Sequence, residues 1–533
     1  MRKFYRLHKG LILVLFVLFL YYLQRLISFR LGINYEEGRD ANACLMFLDG
    51  KRPYIDFEWL YGTFSFFVYP FLMKLFGINL LVLRISYIIL GSLFIPLTYV
   101  LARRIMPETW SALAAFLSII FLDVPYYTYN HVFTVIGELA CVWMVCKFIE
   151  DRQKKYLILA GVFSLITILT KPILPGISLF AAISLFLIIY PSAELRLRLR
   201  TYLYYFLPIA IVSVSQFLYF LSHAAIKKDS LFFVEQASRL LNLKDIFFIF
   251  MGRLLEILPF NLMPNLKAAL VTSLDGFIFI LPFSISLIIL LTVFLKRPGK
   301  KTYLFLFSIC TIFLSLEGLI FLTHIYGRAY TTQTAFILTI YIFYLATTVL
   351  RRKTIILAAT VLFLVYVSFL HFIRYPYSML KKFTASLNLK HSGGILVSSG
   401  EKQLYESLAD YFLSYGKDLV VVGYFPQFAF LTGGKNILED DEYIFIKLKV
   451  ASDVQLLSSF EDRVISRMKI RQPEFILTVV SDLDANGLDD LSARLKEFIL
   501  NHYIPDKVFG PADVFGLEGG NYWVRLYRLN KKL

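Results

Sequence analysis

The stretch NYEEGRDANACLMFLDGKRPYIDFEWLYGTFSFFVYPFLMKLFG, residues 34–77, decides how the rest of the chain is read. Six carboxylates stand in it (Glu36, Glu37, Asp40, Asp49, Asp56 and Glu58), beside Arg39, Lys51 and Arg52. The flanking segments are apolar. Acids this dense between lipid-soluble segments cost desolvation and mark a functional site; the rival reading is a wet loop whose charges stay hydrated. Glu37 to Phe47 reads as one amphipathic helix, ended by Asp49-Gly50, and Leu60 to Phe76 as a second, ended by Gly77. Both are too polar or too short to cross a bilayer.

Around this stretch the chain is built for lipid. Of 533 residues 58% are hydrophobic, and 52 Phe with 34 Tyr exceed what a soluble core holds. Apolar runs near bilayer-spanning length recur, which predicts a polytopic α-helical membrane protein of about eleven transmembrane helices. The first, Gly10 to Ser28, follows a basic N-terminus. It runs into Gln24, Arg25 and Arg30 with no small-residue cleavage site, so it reads as a retained helix. Further spans are expected over Asn79 to Ala102, Thr109 to Leu122, Val132 to Phe148, Tyr156 to Thr170, Pro172 to Tyr190 and Tyr202 to Leu221. Four more follow a long outer loop, residues 222–273. The net charge of +17 sits in short clusters between apolar runs, so it reads as topology and not as a nucleic-acid surface. The four cysteines show neither metal-site spacing nor a disulfide framework.

Every second loop is basic: the N-terminus, Arg103-Arg104, Lys154-Lys155, Arg196 to Arg200, Lys296 to Lys301 and Arg351 to Lys353. The positive-inside rule places these in the cytoplasm. The acidic stretch (outer loop 30–78), PYYTYNH (125–131), the turn at Lys171, loop 222–273, HIYGRAY (324–330) and the tail then face outside, away from soluble nucleotides. The tail, residues 375–533, changes character. Strand-length apolar runs (GGILVSS, DLVVVGYF, EFILTVV, NYWVRLYRL) alternate with helical patterns over Lys402 to Tyr415 and Leu488 to Asn501. That alternation predicts a C-terminal extracytoplasmic α/β domain. No phosphate loop or GxGxxG occurs in it, so it reads as a scaffold or an acceptor-docking domain. The division expected is a transmembrane domain, 1–374, and the α/β domain, 375–533.

Several features of the first outer loop resemble the GT-C superfamily of membrane glycosyltransferases. They are paired acids after the first helix, a Gly-Lys-Arg-Pro-Tyr turn, Phe57-Glu58, a Tyr-Gly helix start, and LFG with Arg84 seven residues on. The chain is similar in particular to bacterial members related to the lipid A aminoarabinose transferase and the protein O-mannosyltransferases. Those read Asp-Glu-x-Arg where this chain has Glu36-Glu37-Gly38-Arg39, and Trp59-Leu60 stands where Lys-Pro often follows Phe-Glu. The similarity covers residues 1–190 and, more loosely, HIYGRAY and the tail.

The resemblance implies a polyprenyl-phosphate-linked sugar donor, an outside-facing site and inversion at the anomeric carbon. The acceptor is a lipid, a glycan or a protein. It also implies a bacterial inner (plasma) membrane location, N-terminus cytoplasmic, tail periplasmic or extracellular. Such a reaction needs a base for the acceptor hydroxyl and cations for the departing phosphate. Glu36 and Glu37 are alternative bases, and Asp40, one turn from Glu36, can share its face and hold it or a divalent metal. Candidate phosphate cations are Arg328, His324, Lys171, His131 and Arg84, with Arg328 the foremost; Arg39, Glu58 and Tyr61 support the loop. Snorkelling to headgroups is the rival reading of Lys171. No cofactor other than that possible metal is expected. A flippase or transporter, or a polymerase or ligase for lipid-linked glycans, is the alternative function.

Overall fold

The structure is a computed structural model. It describes residues 2–33, 35–57, 59, 61–119, 129–171, 176–189, 195–222, 302–321, 340, 344, 375–416, 418–422, 426–436, 454–481, 487–489, 491–513 and 522–531. The helices expected around residues 274–295 and 354–372, and the loop expected over 223–273, lie outside the described residues.

Helix α1 (Arg2–Ser28) shows how the membrane-embedded part is made. Val14, Val17, Tyr21, Gln24, Arg25 and Ser28 are buried, whereas Leu11, Leu15, Phe19, Tyr22 and Leu26 are exposed. Two stripes with helical spacing result, one toward the protein and one apolar stripe toward lipid. The acidic stretch forms α2 (Tyr35–Leu48), and the second expected helix starts later, at Ser65, as α3 (Ser65–Phe76). Gly77, at φ +108, ends α3. Asn79 then caps α4 (Leu80–Gly91), its side chain accepting from the Val82 N–H at 3.0 Å. A turn at Ser92 and Leu93 separates α4 from α5 (Phe94–Ala102) within one apolar rod.

There follow α6 (Glu108–Ser118), α7 (Tyr129–Asp151), α8 (Lys154–Thr170), α9 (Ser178–Ile189), α10 (Leu195–Ser222) and α11 (Thr302–Phe321). Among the described residues three helices are long and apolar enough to cross a membrane: Lys9–Ser28, Leu80–Ala102 and Val132–Asp151. The basic run Arg196 to Arg200, expected as a loop, forms the first turns of α10. Its positive charge sits at the end of a long helix, so loop and span share residues.

The tail opens with α12 (Tyr375–Lys382), β1 (Ala385–Ser386), β2 (Leu396–Val397), α13 (Ser399–Tyr415) and β3 (Asp418–Val422). It continues through α14 (Pro426–Thr432), β4 (Lys435–Asn436), α15 (Val454–Arg471), β5 (Phe475–Val480), α16 (Ala493–His502), β6 (Tyr503–Ala512) and β7 (Tyr522–Leu529). Ser398 and Glu401 form a capping box at the start of α13. The main sheet runs β4-β3-β5-β7-β6, parallel across its first three strands and antiparallel across the rest. The α/β expectation holds; α14, α15 and β6 are additions to it. Both faces of β5 are covered, which suits its continuous apolar run.

Candidate active site

Helix α2 carries two acid–base pairs one turn apart. In the first, Arg84 of α4 reaches Glu37 through both forks: Nε donates to Oε1 at 2.6 Å and Nη2 to Oε2 at 2.5 Å. Nη1 donates to the carbonyls of Phe29 (3.0 Å) and Leu31 (3.3 Å), and Nη2 also donates to that of Gly32. Glu37 is 0% and Arg84 1% exposed. The guanidinium thus ties the turn after α1, the start of α2 and α4 together. Glu37, expected as an alternative base to Glu36, and Arg84, expected among the phosphate cations, are thus each engaged by the other.

In the second, Asp40 is buried, and Arg39 donates to its Oδ1 from Nε at 3.1 Å, with Nη2 also at 3.1 Å. Burial pushes the Asp40 carboxyl up to about 6; Arg39 pulls it down, Glu36 raises it, and Lys171 lowers it. Glu36 is half-buried. Asp40 and Glu36 share a face, as one helical turn dictates. Cys44, one turn further, stays a neutral thiol because burial and Asp40 both raise it.

The cations near Asp40 come from two elements, Arg39 from α2 and Lys171 from the end of α8. Arg39 stands over the Tyr61 ring at 4.8 Å and over Trp59 at 5.9 Å; Lys171 Nζ stands 5.5 Å from the Tyr61 centroid. Trp59 Nε1 donates to the Gly62 carbonyl at 3.2 Å, and Tyr54 donates from its hydroxyl to the Tyr61 carbonyl. The segment is fastened to the end of α8: Gly62 N–H donates to Thr170 O at 2.8 Å and Phe64 N–H to Leu169 O at 3.0 Å. These bonds satisfy carbonyls that a helix C-terminus leaves open. Gly62 is required here, since a Cβ would collide with the Leu169 carbonyl. Lys171 is 4% exposed, so its ammonium does not snorkel to headgroups.

Other expected residues fall elsewhere. Asp56 is engaged by Arg52 (2.9 Å) in an exposed turn, and that contact holds its carboxyl below the usual range. His131 lies in the first turns of α7, and its side chain is outside the described residues, as are Glu58, His324 and Arg328. Two residues of the cluster were missed. Trp59 left no periodic signal. Gly38 left one: a glycine inside a helix costs roughly 1 kcal/mol against alanine and asks for a packing reason.

Among the described residues no three metal-ligating side chains come together. Asp40 and Glu36 share their space with Arg39 and Lys171, a charge set that does not suit a divalent ion.

Residues 63–220 match the family model of dolichyl-phosphate-mannose-protein mannosyltransferases. The chain is similar to that family over this stretch, which runs from Thr63 into α10 and includes Arg84 and Lys171. Two solved structures are similar in outline. The apo oligosaccharyltransferase of Archaeoglobus fulgidus has a TM-score of 0.49 at 12% identity, covering 88% of this chain and 69% of that one. ArnT of Cupriavidus metallidurans, bound to undecaprenyl phosphate, has a TM-score of 0.44 at 12% identity, covering 97% of each. No curated protein matches the chain.

Proposed function

We propose that this chain is a GT-C glycosyltransferase that moves a hexosyl or pentosyl group from a polyprenyl-phosphate donor to an acceptor hydroxyl at the outer face of the inner membrane. The N-terminus is then cytoplasmic and the α/β domain, residues 375–533, periplasmic or extracellular, above a transmembrane domain of residues 1–374. The matched family acts from a dolichyl-phosphate-linked sugar, which is the same donor chemistry.

One observation carries the reading: a buried carboxylate with a raised proton affinity, Asp40 on α2, is paired with Arg39 and feels the charge of Lys171. In this reading Asp40 takes the acceptor hydroxyl proton as that oxygen attacks the anomeric carbon opposite the phosphate. The bond from carbon to phosphate oxygen breaks, its electron pair leaves with the phosphate, and the configuration inverts. The phosphate gains charge as it departs, and Lys171 and Arg39 stabilise that charge. Glu36 keeps the Asp40 proton affinity high. Burial suits this role, because a base works best with a value near the working pH. Arg328, His324 and His131 belong to outer segments and add to the phosphate-binding set; Glu58 and Tyr61 shape the loop.

The test is turnover in nanodiscs with a panel of polyprenyl-phosphate monosaccharides, reading release of free polyprenyl phosphate. Asp40→Asn should lose on the order of 10²–10⁴-fold in rate while donor binding persists. Near-normal turnover in Asp40→Asn removes the base. Donor movement between leaflets with no polyprenyl phosphate released from any donor makes the protein a flippase.

A further inference from the structure

We propose that the α/β tail is a positioning element for the carboxylate helix, with Gly38 against Gln427 as the contact that sets where Arg39 and Asp40 sit.

The tail grips α2 and its supports at three places. The first is α2 itself, along which α14 packs. A Cβ on Gly38 would lie 2.6 Å from both the Cα and the N of Gln427, and nearer still to its Cβ. That is backbone against backbone, so neither side can yield by turning a side chain. Gln427 is 1% exposed, and the next two residues of α2 after Gly38 are Arg39 and Asp40. The second place is the turn before α2. Gly32 N–H donates to Leu396 O at 2.8 Å and Leu396 N–H to Arg30 O at 2.7 Å, so β2 pairs with the turn that Arg84 holds.

The third place is the start of α4. Leu80 N–H donates to His391 O at 2.9 Å, so the tail satisfies one of the open N–H groups of the helix that bears Arg84. Gly393, at φ +68, lies against the same turn: a Cβ there would meet the Leu81 Cβ at 2.6 Å and Asn79 Oδ1 at 2.9 Å. His391 links this contact to the first, since its Nδ1 is 2.9 Å from the Phe430 carbonyl of α14. The tail therefore touches α2, the turn before it and the helix that anchors Glu37.

Groups that act on Asp40 or feel its charge include Glu36, Arg39 and Cys44 on α2, Tyr69 on α3, and Lys171 after α8. The tail acts by holding the helix and keeping water out.

The experiment compares Gly38→Ala, Gly393→Ala and the milder His391→Ala in folded, monodisperse nanodisc samples. Hydrogen exchange is read over residues 35–48 and, as an internal control, over 154–170. The expected result is exchange at least tenfold faster in α2 with α8 unchanged, including for the two tail variants. The second readout rests on the glycosyltransferase reading. The acid limb of the turnover profile should move from near pH 6 toward the ordinary carboxylate range as water reaches Asp40, with rates down about tenfold and donor binding kept. A purely structural tail would lower the yield of folded protein and leave that limb where it is. Unchanged exchange in α2 for all variants that fold overturns the proposal, and His391→Ala keeps that outcome reachable if the glycine variants do not fold. Faster exchange in α2 alongside a fully active Asp40→Asn leaves the clamp standing and removes the proposed base.

Discussion

Glu37 and Asp40 sit one turn apart on the same helix, each with an arginine beside it, yet they are opposite kinds of site. Glu37 and Arg84 make a closed, bidentate and fully buried pair whose remaining donors are spent on three carbonyls. Nothing is left for a substrate. Asp40 is also buried, but its partners do not offset its desolvation: its affinity for a proton stays raised despite Arg39 and Lys171. A carboxylate that is fully satisfied holds a fold together, whereas one that is buried and under-compensated is suited to take a proton.

Breaking the closed pair should give the largest effect on the fold. Arg84→Ala leaves an uncompensated buried carboxylate and should cost about 3–5 kcal/mol, read as loss of folded protein or a sharply lower thermal midpoint. Asp40→Asn should do the reverse and leave that midpoint equal or higher at neutral pH. The sign follows from the raised value: the folded state holds the Asp40 proton more tightly than the unfolded chain does. The ionised form therefore burdens the fold above about pH 6, and the burden disappears as the pH falls below that value. Equal destabilisation by both variants would abolish the distinction between the pairs.

Lys171→Met tests the cationic side and should weaken donor binding and rate by roughly 10–100-fold, as expected for losing a charge-assisted contact to phosphate. It should also move the acid limb of the turnover profile above pH 6, because Lys171 lowers the Asp40 value. An acid limb that stays in place while activity falls would detach Lys171 from Asp40. The smallest effect belongs to Arg52→Ala. That arginine pairs with Asp56 in an exposed turn, where ion pairs contribute little, so turnover and thermal midpoint should both match the parent protein.

The sequence by itself determined the class of the molecule and pointed to the acidic stretch after the first helix as its candidate site. Apolar runs of bilayer length, basic loops at every second turn and a strand-rich tail are local patterns, and local patterns survive in one dimension. So does a knot of acids after the first helix. What it left open was which acid does what. Glu36, Glu37 and Asp40 carry the same functional group within five residues, and their difference lies in partners far along the chain. Arg84 is 47 residues from Glu37, Lys171 is further still from Asp40, and Gln427 comes from the tail. Only the tertiary structure brings Arg84 to Glu37 and Lys171 near Asp40, and only there does burial become unequal compensation. A proton affinity depends on desolvation and on charges within a few ångströms, and neither is a property of sequence spacing.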